Sequence, residues 1–141
     1  MAAMNLKDIM TSPVATVAPE ASLVAVAKKM LEMEIGLLPV ASGPKIVGVV
    51  TDRDIAVRAV AAGLDPKLTT AQAIMTKDVY SCSIGSAVTD ACRIMEEKKV
   101  RRLLIVDAAN SPVGIVSLAD VALHLRQEQS AEVLKKVSRR L

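Results

Sequence analysis

An α/β (α+β) fold built from two β-α-β-β-α repeats, packed with pseudo-two-fold symmetry, is what this chain predicts, and three observations carry the prediction. The first is an internal repeat. KDIMTSPVATV returns as QAIMTKDVYSC, 65 residues later (Ile74 against Ile9). Residues 9–41 laid on 74–106 without a gap share seven identities: Ile9/Ile74, Met10/Met75, Thr11/Thr76, Val14/Val79, Met30/Met95, Glu32/Glu97 and Leu38/Leu103. One inserted residue moves the offset to 66. IVGVVTDRDIA (46–56) then meets PVGIVSLADVA (112–122) with five identities: Val47/Val113, Gly48/Gly114, Val50/Val116, Asp54/Asp120 and Ala56/Ala122. The second observation is that both copies alternate strand-like and helical periodicity in the same order. The third is that both close on Gly-x-x-[Thr/Ser]-x-x-Asp, where an apolar run gives way to a helical pattern.

Each copy reads element by element. A short helical turn carries Ile-Met-Thr. A brief strand follows, Ala15–Val17 or Tyr80–Cys82. Leu23, Val26, Ala27, Met30 and Met33 then recur at helical spacing, as do Val88, Ala91, Cys92 and Met95. Two β-rich runs come next, Leu38–Ala41 with Val47–Thr51, and Leu103–Val106 with Val113–Ser117, joined across Gly43-Pro44 and Asn110-Ser111-Pro112. A closing helix begins near Arg53 or Ala119, and Gly63 stops the first one. The expected organisation is repeat one over 5–63, a linker over 64–70 containing Asp65-Pro66, repeat two over 71–127, and a C-terminal basic amphipathic helix or tail over 128–141. A single unit of roughly 55–60 residues buries too little surface to be stable alone, so the two copies are expected to share a core.

Composition narrows the function classes. Hydrophobic residues make up 52% of the chain, which favours a packed globule over disorder. One Tyr, with no Trp or Phe, leaves Val, Ile, Leu, Met and Ala to build the core, and removes the aromatic platforms on which bases stack. A net charge of +3 on scattered Lys and Arg is no nucleic-acid stripe. No segment reads as a signal peptide, and no apolar run approaches the roughly 20 residues of a membrane span. Cys82 and Cys92 lie outside any CxxC spacing and read as small buried residues of a reduced, cytoplasmic protein. With His124 the single histidine, no metal site is expected. Catalysis is not expected either: there is no nucleophile–His pair and no Gly-rich loop ending in Gly-Lys-Ser/Thr.

Thr51-x-x-Asp54 and Ser117-x-x-Asp120 have two readings. One is a capping box, with hydroxyl and carboxylate serving the unpaired N–H groups of a helix start. The other uses the same geometry to grip a ligand, since a carboxylate accepts both hydroxyls of a ribose and free N–H groups suit phosphate. Asp52 is answered in the second copy by Leu118, and Arg53 by Ala119, so a two-carboxylate metal or acid–base site is not supplied by both repeats. Asp52 reads instead as an N-cap residue. Met30, Met33 and Met95 read as core or dimer-interface packing. In the tail, Ser130 reads as an N-cap, Val133, Leu134, Val137 and Leu141 form one apolar edge, and Lys135, Lys136, Arg139 and Arg140 fill much of the rest. Its few large apolar groups favour packing across a dimer, or a solvated end, over a membrane surface.

DIMT, GLLPV and GVVTDRD in the first repeat, with AIMT, VRRLLIV and GIVSLAD in the second, resemble a tandem pair of CBS domains, a Bateman module. The resemblance covers residues 5–127. TDRDIAVRAVAAGLDP is similar to stand-alone bacterial two-CBS proteins, including the mycobacterial hypoxic-response type. It implies a regulatory small-molecule sensor, homodimeric, not an enzyme and needing no cofactor. Its regulatory ligand would be adenosine-containing, such as AMP, ADP, ATP or S-adenosylmethionine, bound in clefts between the CBS repeats. The alternative is a ligand-free interaction module that dimerises and regulates a separate partner protein.

The resemblance also implies site residues. One cleft would join Thr51 and Asp54, with help from Arg53, to Val79, Tyr80, Val100, Arg102 and Leu104. Asp54 would hold ribose, the apolar side chains adenine, backbone near Tyr80 the adenine edge, and Arg102 phosphate. The other would join Ser117 and Asp120 to Val14, Ala15, Ile35, Leu37 and Pro39. There Gly36 and Leu37 stand where the first has Arg101 and Arg102, which removes the cationic phosphate partners.

Overall fold

The helices and strands fall where the repeat predicts them, except the first strand of repeat one. The computed structural model describes residues 5–127, so the tail expected over 128–141 lies outside the described residues. The elements are α1 (Leu6–Ile9), α2 (Leu23–Met33), β1 (Leu37–Ser42), β2 (Lys45–Thr51), α3 (Asp52–Asp54) running into a π-helical stretch (Ile55–Val60), α4 (Ala71–Ile74), β3 (Ser81–Ser83), α5 (Val88–Lys98), β4 (Arg102–Val106), β5 (Pro112–Ser117) and α6 (Leu118–Gln127). Gly63 ends the first closing helix in the left-handed region at φ +72, donating its N–H to Val60 O at 3.0 Å.

The described chain divides into two compact units: residues 15–79, and residues 5–14 with 80–127. These units do not coincide with the repeats. The segment that opens repeat one packs in the unit of repeat two, and the linker with the start of repeat two packs in the unit of repeat one. Burial is the cause. Ala71 and Ile74 of α4 enter a core with Val17, Leu23, Val26, Leu38, Val40 and Val50. Leu6 of α1, fully buried, enters one with Cys82, Ala91, Met95, Leu103, Ile105, Val116 and Val121.

In the 15–79 unit, β1 and β2 pair antiparallel, Leu37 opposite Thr51 and Pro39 opposite Val49. Val17 bridges to Val40 in parallel on one side, and Thr76 bridges antiparallel to Val49 on the other. In the second unit, β3 pairs parallel with β4, β4 antiparallel with β5, and Thr11 bridges antiparallel to Ile115. The strand expected over Ala15–Val17 shrinks to one bridge, whereas its counterpart forms as Ser81–Ser83. Pro39 explains the difference. Leu104, at the matching position, donates its N–H to Tyr80 O at 3.2 Å. The equivalent rung to Ala15 would need an N–H that Pro39 lacks.

The two long helices differ at their starts. Ser22 caps α2, its Oγ accepting from Ala25 N at 3.1 Å. The matching residue before α5 is Ala87, whose backbone (φ −74, ψ 155) is nearly that of Ser22 (φ −70, ψ 155). Ala87→Ser is therefore expected to stabilise the fold by about 0.5–1 kcal/mol, read as a raised urea midpoint at unchanged slope. An unchanged or lowered midpoint refutes it.

Candidate functional site

The site begins where β2 stops. Thr51 keeps extended backbone (φ −110, ψ 163) while the next three residues turn helical. Its Oγ1 accepts from Asp54 N at 3.1 Å, and Asp54 Oδ2 accepts from Thr51 N at 2.9 Å. The capping-box reading is thus realised, with Thr51 as the cap. Asp52, read as an N-cap from sequence, is instead the first helical residue: its N–H donates to Gly36 O at 3.0 Å and its Oδ1 accepts from Arg53 N at 2.9 Å. The difference arises because β2 carries its pairing through Thr51, so the extended-to-helical switch falls one residue earlier.

Asp54 does more than cap. It is 9% exposed, one of the few buried charged side chains. Thr76 Oγ1 donates to both of its oxygens, at 3.1 Å to Oδ1 and 3.3 Å to Oδ2. Arg58 Nε stands 3.9 Å from Oδ1, and Arg58 Nη1 donates to Ile74 O and Met75 O at 3.2 and 3.0 Å. A carboxylate offers about four lone-pair positions. These partners fix its orientation and leave acceptor capacity for further donors.

The second copy repeats the junction. Ser117 N donates to Asp120 Oδ2 at 2.9 Å, and Asp120 N to Ser117 Oγ at 3.0 Å. Leu118 N donates to Arg101 O at 2.7 Å, as Asp52 N does to Gly36 O. Asp120 is only half-buried. The position of Arg58 is taken here by His124, which is buried.

The structure places Ala15, Ile35, Leu37, Pro39, Thr51, Arg53, Asp54 and Val79 in one unit, and Val14, Tyr80, Val100, Arg102, Leu104, Ser117 and Asp120 in the other. Within the first, Leu37 lies directly across the ladder from Thr51, so Leu37, Pro39 and Thr51 share one sheet face. Leu38, Val40 and Val50 turn the other way into the core. Arg53 is exposed. Within the second unit, Arg102 faces Ser117 across the ladder and Leu104 faces Ile115. Leu104 is buried, Arg102 half-buried and Arg101 exposed. Tyr80 accepts at its carbonyl from Leu104 N, and its ring lies 5.6 Å from Lys98 Nζ, a cation–π contact. Sequence reasoning missed Thr76 and Arg58. The signals were present: Thr76 belongs to the repeated Ile-Met-Thr, and Arg58 sits four residues after Asp54.

Burial, with a smaller push from the Glu96 charge, raises the Cys92 thiol above its ordinary pKa, which is the reverse of an activated nucleophile. Among the described residues, no three His, Cys, Asp or Glu side chains cluster as metal ligands, and no helix is long and apolar enough to cross a membrane.

Duplicated hydroxyl–carboxylate junctions on a mixed α/β scaffold are matched by a family model. The CBS-domain model fits residues 6–60 and again 71–127. The chain belongs to the CBS-domain family. It is 34% identical over 132 residues to Hypoxic response protein 1 of Mycobacterium tuberculosis, covering 93% of this chain and 92% of that protein. The solved structure of Hypoxic Response Protein I with two coordinated zinc ions superposes with a TM-score of 0.70 at 35% identity, over 86% of this chain and 98% of that one. The CBS domain pair of protein MJ0100, in complex with 5′-methylthioadenosine and S-adenosyl-L-methionine, superposes with a TM-score of 0.80 at 26% identity, over 90% of this chain and 99% of that one. The two matched stretches contain the residues that pair in the internal repeat, 9–56 and 74–122.

Proposed function

We propose that this chain is a regulatory, non-catalytic CBS module that binds an adenosine-containing ligand through its ribose, with Asp54 as the principal ribose acceptor. The observation that carries the reading is the Asp54 carboxylate at a strand–helix junction, buried and oriented by Thr51, Thr76 and Arg58. The methylthioadenosine and S-adenosylmethionine held by the MJ0100 pair support the ligand class. Thr51 contributes its hydroxyl and Arg53 an exposed cation for the ligand's anionic end. Tyr80, Val79, Val100, Arg102 and Leu104 are assigned to adenine and phosphate. Ser117 and Asp120, with Val14, Ala15, Ile35, Leu37 and Pro39, form the weaker second set. AMP, ADP, ATP and S-adenosylmethionine are the candidate ligands, and the working form is a cytoplasmic homodimer.

A thermal-shift panel of AMP, ADP, ATP, NAD and S-adenosylmethionine tests this. A ligand at 100 times its Kd stabilises the fold by about 2.7 kcal/mol, so at least one compound is expected to raise Tm at millimolar concentration. A flat response to all of them rejects the reading. One observation favours a second reading, a ligand-free assembly module: Leu31, Met33, Val57, Val60, Leu64 and Leu68 of the 15–79 unit are large, apolar and exposed. Under that reading, the flat panel comes with a partner captured from the native cell whether or not nucleotide is present.

A further inference from the structure

We infer that Arg58 is the positioning residue that sets the Asp54 carboxylate as a ribose grip; this rests on the ribose reading above. Three facts converge on one guanidinium. Its Nη1 donates to the carbonyls of Ile74 and Met75, at the end of α4. Carbonyls there lack helical partners, and a cation suits them. Its Nε faces Asp54 Oδ1 at 3.9 Å. One and two residues beyond those carbonyls lies Thr76, whose hydroxyl donates to the same carboxylate. Arg58 therefore closes a ring: guanidinium to α4, α4 to Thr76, Thr76 to Asp54, Asp54 back to the guanidinium.

The ring explains why a half-exposed arginine matters. Asp54 is held by Thr51 from its own helix, but Thr76 reaches it from 22 residues away in sequence. Arg58 contacts both the carboxylate and the backbone that leads into Thr76. A planar fork of donors does this, and an ammonium does not span both partners at once. Arg58 lies in the π-helical stretch Ile55–Val60, where the widened turn is closed by Ala61 N donating to Ala56 O at 3.0 Å. Such stretches interrupt helices at functional positions. In the second unit the closing helix is α-helical over Leu118–Gln127, and His124 stands where Arg58 would.

Calorimetric titration with adenosine and with AMP tests the assignment in wild type, R58M, R58K, D54N and the double variant R58M/D54N. Adenosine has no phosphate, so a residue acting through Asp54 weakens both ligands alike. R58M is expected to raise both Kd values about tenfold, the scale of coupling between contacting groups. R58K, which keeps the charge and guards against a misfolded R58M, is expected to weaken both several-fold. R58M added to D54N is expected to change the residual Kd little, because its route to the ligand is already cut. Loss of AMP affinity alone would make Arg58 a direct phosphate contact and overturn the inference. Unchanged affinity in R58M or R58K would overturn it while leaving the ribose reading intact. A wild-type chain that binds neither compound would overturn the ribose reading and the inference with it.

Discussion

Asp54→Ala is expected to lower Tm by roughly 8–12 °C and to abolish any response to an adenosyl ligand. The stability loss follows from what the carboxylate holds. Removing it strands the Thr51 N–H and the Thr76 hydroxyl and leaves the Arg58 cation without its counter-charge. Losing a cap costs about 0.5–2 kcal/mol, and losing a hydrogen bond to a charged group about 1.5–3. These overlap on one side chain, so the sum is about 2–3 kcal/mol, at roughly 4 °C for each in a chain of this size. Asp120→Ala is expected to cost less, since Asp120 is half-buried and is not faced by an arginine at the fourth position. Asp54→Asn separates the two duties. Its amide oxygen still accepts from Thr51 N, so much of the cap survives, while the charge-assisted contact to ribose is lost. Scanning calorimetry with and without ligand reads both effects. An Asp54→Ala protein that melts with wild type would mean the carboxylate is solvated and the ring of partners is idle.

Much of this was legible in the sequence because the chain states its fold twice. Val26 with Ala91, Leu38 with Leu103 and Val50 with Val116 occupy matching core positions, and one copy checks the other. The Thr51 and Ser117 boxes were legible for the same reason: spacing three, hydroxyl then acid, is a local signal. What stayed hidden is non-local. The loss of a strand at Ala15–Val17 depends on one absent N–H, on Pro39, in a neighbouring strand. Thr76 on Asp54 depends on which unit the start of repeat two enters. Tandem copies with the same Met-Thr and the same Gly are chemically interchangeable partners, so their spacing alone does not say whether Met10 belongs to Gly48 or to Gly114. Packing decides it.

That decision can be read by mutation. The structure pairs Met75 with Gly48 and Met10 with Gly114, each methionine covering the glycine of the other repeat. A Cβ on Gly48 would lie 2.6 Å from Met75 Sδ, 3.0 Å from Met75 Cγ and 2.9 Å from the backbone oxygen of Thr76. A Cβ on Gly114 would meet Met10 at its Sδ, at its Cγ (2.8 Å) and at its Cβ (3.1 Å). A thioether swings aside, whereas a carbonyl held in a ladder does not: Thr76 O accepts from Val49 N at 2.9 Å. Overpacking of a filled site costs about 1–3 kcal/mol. Gly48→Ala is therefore expected near the upper end of that range, with Gly114→Ala lower. Met10→Ala should relieve Gly114→Ala and do nothing for Gly48→Ala, and Met75→Ala should relieve Gly48→Ala only in part, because the Thr76 carbonyl remains. Urea denaturation of the singles and doubles gives the coupling energies directly. Coupling of Met10 with Gly48 in place of Gly114 would reverse the exchange of lead segments between the units. The same carbonyl ties this result to the ligand: displacing Thr76 from β2 draws its hydroxyl away from Asp54, so Gly48→Ala should also weaken the adenosyl response, whereas Gly114→Ala should spare it.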